Sequence, residues 1–477
     1  MTYPHRDHPN RHDLDYFFAP RSVAVVGASH NPQKLGYFLM DNLLRERFPG
    51  PIYPVNPRGG TILGLKVYPA VQEIPGPVDL AVIAVPAPLV VAALEECGRK
   101  GARAAVVISA GFKETGPEGA LREQEVAATA RRYGIRLVGP NCLGVIDTFH
   151  SLNASFAEAM PERWEVAVMS QSGAMATAIL DWSRWTDVGF SKFVSLGNMA
   201  DVTEAELLEY WAEDRETNVV VGYLEGISNG RHFMEAARRL TRNKPLVIMK
   251  VGRTAAGARA ASSHTGTLAT VDYVVEAAFR QTGVVRAETM EELFDFTRCF
   301  AYSPLPRGDR VAVVTNAGGP GVMATDAIDR VGLRLATLLP QTQRLLIGAL
   351  PEAASVQNPV DVLGDAQADR YDAALGAVVA DPGVDCVLVL LTPQAMTEPE
   401  RTARTIISNS RTADKPILVV YMGGVAVERG RHMLERARVP VYFYPERAVR
   451  AMAVLVQYAR YRRETEELAA PAVARAG

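Results

Sequence analysis

Ser22-Val23-Ala24-Val25-Val26-Gly27-Ala28-Ser29 is an apolar run that stops at a glycine and two small residues. A short apolar segment bounded by turn residues reads as a strand buried on both faces, as in a parallel sheet. Further strands are predicted at Ile52–Val55, Leu80–Val85, Ala104–Ile108 and Arg136–Val138. Helical stretches alternate with them: one from about Gly36 to Arg47, then Ala87–Lys100 and Glu118–Tyr133. This alternation predicts right-handed βαβ units in a doubly wound α/β sheet, with any ligand at the carboxyl ends of the strands.

The loops at those ends are Gly27-Ala28-Ser29, Asn56-Pro57-Arg58, Val85-Pro86, Ser109-Ala110-Gly111 and, after Gly139-Pro140, Asn141-Cys142. Small residues let a ligand approach the backbone, and Lys34 and Arg58 would meet phosphates. The G-x-G-x-x-G fingerprint fails at its second glycine, because Ala28 and Ser29 follow Gly27. The acidic ribose-binding residue is also missing, since Asn56-Pro57-Arg58 follows the second strand. A nucleotide-like ligand is expected and hydride transfer is not.

Thr148 to Arg163, rich in Ser, Ala, Pro and Glu, reads as a linker. A strand, Val166-Ala167-Val168-Met169, then meets Ser170-Gln171-Ser172-Gly173, which opens a helix. Hydroxyls and a glycine at a helix N-terminus make an anion cradle, although Ser172 alone fits a plain N-cap equally well. This turn is not a serine-hydrolase elbow, because neither Ser170 nor Ser172 stands in G-x-S-x-G. Glu225 ends the strand-like Val219-Val220-Val221-Gly222-Tyr223-Leu224. After the small-residue run Gly252 to Ala261 comes Ser262-Ser263-His264-Thr265-Gly266, then a helix predicted from Ala269 to Arg280. An imidazole on a lightly built tether suits a group carrier, and a carboxylate such as Glu225 would orient it. Taken singly, His264 fits a cap neighbour in a surface loop, and Glu225 a solvated carboxylate.

The last third begins with a linker, Ser303-Pro304-Leu305-Pro306-Arg307-Gly308-Asp309, and repeats the strand–turn–helix opening in Arg310–Thr315 and Asn316-Ala317-Gly318-Gly319-Pro320-Gly321. Strands are predicted near Cys386–Leu391, Ile417–Tyr421 and Val441–Phe443, and Asn358-Pro359-Val360-Asp361 reads only as a turn. No G-x-x-x-x-G-K-[ST] phosphate loop occurs, so no triphosphate site is expected on this chain.

With 477 residues, roughly two to four domains are expected. A net charge of −2 implies no polyelectrolyte partner, so nucleic-acid binding is not expected. No apolar run reaches membrane-spanning length, and the polar start is no signal peptide, so no membrane partner is expected and the cytoplasm is the expected setting. Four scattered cysteines without metal spacing suggest free thiols in a reducing compartment. His5, His8 and His12 read as part of a frayed start, and no metal site is assigned.

Taken in order, several stretches resemble the α subunit of the ADP-forming acyl-CoA synthetases (acetate–CoA ligase, ADP-forming), in the succinyl-CoA synthetase superfamily. They are Gly27-Ala28-Ser29, Val85-Pro86-Ala87-Pro88, Gly139-Pro140-Asn141-Cys142-Leu143-Gly144, Ser170-Gln171-Ser172-Gly173, Ser195-Leu196-Gly197-Asn198, Tyr223-Leu224-Glu225-Gly226 and Ser263-His264-Thr265-Gly266. Thr315 to Gly321, Asn358 to Asp361 and Leu391 to Met396 continue the match, which runs from about residue 15 to 460. Glu206 stands where relatives often carry Asp, Arg58 where Lys is usual, and Thr270 where Gly is common.

The resemblance implies an N-terminal Rossmann-like CoA-binding domain over 1–147. A flavodoxin-like CoA-ligase domain with a phosphohistidine loop would follow over 148–305, and a second, smaller flavodoxin-like domain over 306–477. It implies acyl-CoA + phosphate + ADP ⇌ carboxylic acid + CoA + ATP, through an acyl phosphate and a phosphohistidine at His264 steadied by Glu225. Ser170, Gln171, Ser172, Gly173 and Ser263 would hold the phosphoryl group. CoA would lie against Gly27, Ala28, Ser29, Lys34, Asn56, Arg58, Val85, Pro86, Ser109, Ala110, Gly111, Asn141 and Cys142. The ATP-grasp module is not recognisable here, so ADP/ATP and Mg²⁺ would be handled by a separate β subunit in an α₂β₂ assembly. The competing readings are a non-catalytic CoA-binding regulator, or a related acyl- or carbamoyl-transfer protein. A decayed regulator would show damage at His264, Glu225 or the Ser170–Gly173 turn, and none is seen.

Overall fold

The computed structural model describes residues 12–186, 188–257, 259 and 271–469. His5, His8, Ser263 and His264 lie outside the described residues, as do the first residues of the helix predicted from Ala269. The described part of that helix is Asp272–Gln281. His12 is part of a local cap, with its Nδ1 accepting from the Leu14 N–H at 3.1 Å. The chain divides into two compact units, residues 1–240 with 248–284, and residues 241–247 with 285–477.

In the first unit Val23–Val26 is a buried strand, and its neighbours follow as expected. The sheet order is Ile52–Val55, Val23–Val26, Leu80–Ile83, Ala104–Val107, Arg136–Val138, parallel throughout. Chain order reverses between Val23–Val26 and Leu80–Ile83, which opens the crevice where doubly wound sheets bind ligands. The helix predicted from Ala87 starts as a 3-10 turn, Ala87–Leu89, before Val90–Lys100. Pro88 lacks the N–H that a regular helix interior uses.

A second sheet in this unit carries Val219–Leu224, Arg163–Ser170, Phe190–Ser195, Gly144–Asp147 and Leu152–Ser155 in that order. Its centre is parallel and its far side antiparallel. The predicted linker from Thr148 to Arg163 is therefore wrong in part: Leu152–Ser155 is a fully buried strand. The Ser155 hydroxyl and the Asn153 oxygen pair with each other inside the protein, which offsets part of the cost of burying them, while Asn153 Nδ2 stays without a partner among the described residues. Ser155 Oγ donates to Asn153 Oδ1 at 2.6 Å, and Asn42 Nδ2 donates to the Ser155 and Ala157 carbonyls at 2.7 and 2.8 Å.

The second unit holds a parallel sheet ordered Arg334–Leu335, Arg310–Thr315, Cys386–Leu391, Ile417–Tyr421, Val441–Tyr442. Asn358-Pro359-Val360-Asp361 is more than a turn. Val360–Asp361 pairs with Arg310–Thr315, and the Asn358 amide bridges two strands. Its Oδ1 accepts from the Val313 N–H at 2.9 Å, and its Nδ2 donates to the Val311 and Ala336 carbonyls at 2.8 and 2.9 Å. The core beneath is aliphatic, closed by the buried rings of Tyr371 and Tyr421. Among the described residues no helix is long and apolar enough to cross a membrane.

Candidate functional site

The first crevice is built for close backbone approach. Gly27 sits at φ +95°, and both its N–H and that of Ala28 donate to the Val55 carbonyl, at 3.0 and 3.2 Å. A Cβ on Gly36 would stand 2.0 Å from the Gly27 oxygen, so the helix Leu35–Arg45 rests directly on the turn. Gly36 thus fills the close helix–strand role that the third glycine of the dinucleotide fingerprint serves. Sequence reading placed it at a helix start and gave it no role; the glycine at the N-terminus was the available signal. Exposed Lys34 precedes that helix, whose first turn carries no acidic residue and no side-chain cap. Asn56 Nδ2 donates to the Ala28 carbonyl at 2.8 Å and its Oδ1 accepts the Arg58 N–H at 3.0 Å, which ties two strand-end loops together.

Val85, Pro86, Ser109, Ala110 and Gly111 line the next strand ends, partly or fully exposed. Ser109 Oγ donates to the Val85 carbonyl, and the Asn141 N–H donates to the Ser109 carbonyl at 2.9 Å. The Cys142 thiol faces the other way, toward the Val107 carbonyl at 3.3 Å, and burial pushes its pKa up to about 12.

Asn198 joins this crevice to the second sheet. Its Nδ2 donates to Glu114 Oε2 and Glu123 Oε2, both at 2.7 Å, and its Oδ1 accepts from Asn141 Nδ2 at 3.3 Å. Burial pushes the Glu114 carboxyl upward. The bonds from Asn198 and from the Phe112 and Gly111 N–H groups outweigh it and hold the group below its ordinary value.

At the carboxyl ends of the second sheet, the Ser170 Oγ donates to the Ser172 carbonyl at 2.8 Å and accepts its N–H at 3.2 Å. Ser172 caps the helix Gly173–Trp185 by accepting the Met175 N–H at 3.4 Å. Gly173 and Ala174 are exposed, and a Cβ at Gly173 would meet nothing within 4 Å. The N-terminal N–H groups and the macrodipole of such a terminus favour an anion.

The Gln171 amide is turned inward. Its Oε1 accepts the Glu225 and Gly226 N–H groups at 2.6 and 2.9 Å, and its Nε2 donates to the Gly226 carbonyl at 2.8 Å. Glu225 is therefore fixed one strand away from the seat, as Ser170 registers with Tyr223. Its charge, with burial the larger cause, raises the pKa of Tyr223.

The segment leading to His264 departs from beside Glu225, since the Val251 N–H donates to the Leu224 carbonyl at 3.0 Å. Its two feet meet in the ion pair Arg253–Asp272 at 3.6 Å.

Asp147, His150 and Glu216 also bring ligand-type atoms within 4.8 Å of one another. The buried Lys192 ammonium already stands among Asp147, Asp214 and Glu216, at 3.6, 2.8 and 2.7 Å, so a cation occupies the cluster.

Three family models match the chain. They are a CoA binding domain over 21–148, a succinyl-CoA ligase like flavodoxin domain over 163–300, and a Ligase-CoA domain over 311–469. Fold and site together define a CoA ligase of the succinyl-CoA ligase class.

The chain is 46% identical to acetate–CoA ligase (ADP-forming) I of Archaeoglobus fulgidus over 94% of its own length, and spans 64% of that relative. It is 44% identical to the α subunit of acetate–CoA ligase (ADP-forming) II of Pyrococcus furiosus, covering 94% of this chain and 98% of that one. The dinucleotide forming acetyl-coenzyme A synthetase 1 of Ca. Korarchaeum cryptofilum, solved with phosphate and ADP, superposes with a TM-score of 0.92. It is 38% identical, over 96% of this chain and 99% of that one. The chain belongs to the family of ADP-forming acetate–CoA ligases, as one of its α-type chains. The fold and family that the motifs implied are both found.

Proposed function

We propose that this chain catalyses the CoA- and phosphoryl-handling half of acyl-CoA + phosphate + ADP ⇌ carboxylic acid + CoA + ATP. The observation that carries the reading is Glu225 clamped one strand away from the open helix N-terminus at Gly173, beside the neck of the segment bearing His264. CoA lies in the crevice between Gly27-Ala28-Ser29 and Val85-Pro86, with Lys34 and Arg58 toward its phosphates and the loops at Asn56, Ser109–Gly111 and Asn141 around it.

A phosphate oxygen attacks the thioester carbonyl carbon, the C–S bond breaks, and CoA leaves as a thiolate that takes up a proton. The neutral His264 imidazole then attacks phosphorus in the acyl phosphate, and the P–O bond to the carboxylate breaks. The Glu225 carboxylate accepts the other ring N–H, fixing the tautomer and balancing the charge of the phosphohistidine. The N–H groups at Gly173 and Ala174, with Ser172 and Ser263, hold the phosphoryl oxygens. A terminal ADP oxygen finally displaces the imidazole.

That last step is assigned to a separate ATP-grasp β chain, in an α₂β₂ assembly. The α-subunit relative matched end to end supports a partner. Mg²⁺ would accompany the nucleotide there and neutralise its phosphates, and no residue of this chain is assigned to it. The domains 1–147, 148–305 and 306–477 would divide the labour into CoA binding, phosphoryl transfer and partner-side support. The four buried free thiols suit a reducing, cytoplasmic setting. The intact Ser170–Gly173 turn and Glu225 do not favour a decayed regulator.

The test is intact-mass spectrometry after incubation with acetyl-CoA, phosphate and Mg²⁺, beside a His264→Ala variant. An acid-labile gain of one phosphoryl group in the parent alone is expected. No gain, with candidate ATP-grasp partners added as well, overturns the reading.

A further inference from the structure

The same amide clasp occurs in both units. Gln171 holds the backbone of Glu225 and Gly226 with three bonds, and its own N–H donates to the Tyr223 carbonyl at 3.1 Å. In the second unit, Asn316 Oδ1 accepts the Thr392 N–H at 2.9 Å and the Thr392 hydroxyl at 3.1 Å, while Nδ2 donates to the Thr392 carbonyl at 2.9 Å. The hydroxyl one residue earlier matches as well. Thr315 Oγ1 accepts the Ala317 N–H at 3.1 Å and donates to its carbonyl at 2.9 Å, as Ser170 does with Ser172. An amide after the central strand therefore fixes the residue after the neighbouring strand. In the first unit that residue is Glu225.

We infer that Gln171 is a positioning residue, which acts through Glu225 and does not itself hold the phosphoryl group. Both ends of its amide are already engaged, with the Met199 sulfur 3.3 Å from Nε2 as a further contact. A carboxylate that must meet an imidazole on a separate segment needs its own backbone held to within about 0.5 Å. Removing the clasp releases two N–H groups and one carbonyl at a strand end, so Glu225 drifts while the Gly173 terminus is untouched. The inference rests on the function proposed above.

The test is a double-mutant cycle on the full chain, with acetyl phosphate as donor and acid-labile label on His264 as readout. Gln171→Leu is expected to slow phosphorylation by roughly 10- to 100-fold with KM for acetyl phosphate unchanged, as sub-ångström misplacement does. Gln171→Glu, which keeps both acceptor contacts, is expected to lose less and guards against a misfolded Leu variant. In a Glu225→Gln background, Gln171→Leu is expected to add nothing further. An equal slowing in that background, a rise in KM alone, or no slowing overturns the inference. A parent chain that takes no label overturns the functional reading itself, and the inference with it.

Discussion

Gly36 rests on Gly27 so closely that a methyl group on the first would stand 2.0 Å from the carbonyl oxygen of the second. The contact is backbone to backbone, so no side chain can give way. Gly36→Ala is expected to cost roughly 1–3 kcal/mol through overpacking and to weaken CoA binding by lifting the helix off its turn. Chemical denaturation and calorimetric titration with CoA check both effects. Unchanged CoA affinity would detach this helix from the ligand.

Gly173 offers the opposite case, because a Cβ there meets nothing within 4 Å. Gly173→Asp places a negative charge at a helix N-terminus, which should stabilise by about 0.3–1 kcal/mol. The same charge competes with a phosphoryl group for the same N–H groups. The variant is expected to melt no lower than the parent while His264 labelling falls tenfold or more. Full labelling would move the phosphoryl seat elsewhere.

Asn198 donates to two carboxylates with one amide nitrogen. Asn198→Ala is expected to cost roughly 1–3 kcal/mol at neutral pH, the loss of hydrogen bonds to charged groups. The pH dependence has a definite sign. The Glu114 pKa is depressed from 4.5 in the folded protein, so its contribution is present above 4.5 and is lost as pH falls through the folded value. The variant, lacking the Asn198 bond, should lose less stability over that fall. Denaturation series carried from neutral pH to below 4.5 measure the difference, and parallel curves would remove Asn198 as its cause.

Asn358 holds the Val313 N–H and the Ala336 carbonyl, and adds a second bond to the Val311 carbonyl, which also accepts the Ala336 N–H. Asn358→Ala is expected to destabilise the second unit by roughly 1–3 kcal/mol and to leave the Gly27 crevice unaffected. Hydrogen exchange should show early opening near Val311 and Val313. Uniform exchange across the chain would argue that the clamp is not local.

The strands around Val23–Val26 and Arg310–Thr315 were legible because a buried parallel strand is written as a continuous apolar run with a glycine-rich stop. Leu152–Ser155 was not, because Asn153 and Ser155 carry loop-like composition, and the strand is held in place by a group far along the chain. Asn42 reaches Ser155 across 113 residues. Among the candidate site residues, Ser170–Gly173 was readable as a hydroxyl-rich helix opening and Glu225 as a carboxylate at a strand end. The inward turn of Gln171 was not, for its partners lie 54 and 55 residues away.

By itself, then, the sequence determined which apolar runs become buried parallel strands, where their small-residue turns fall, and which side-chain types stand at those turns. These are consequences of side-chain burial and backbone preference acting within a few residues. Tertiary structure decided which groups are used up in holding others: Gln171 on Glu225, Asn198 on Glu114 and Glu123, Asn358 on Val313, Gly36 against Gly27. A hydrogen-bonding group is satisfied by whichever partner packing brings within reach, and local sequence does not encode that partner.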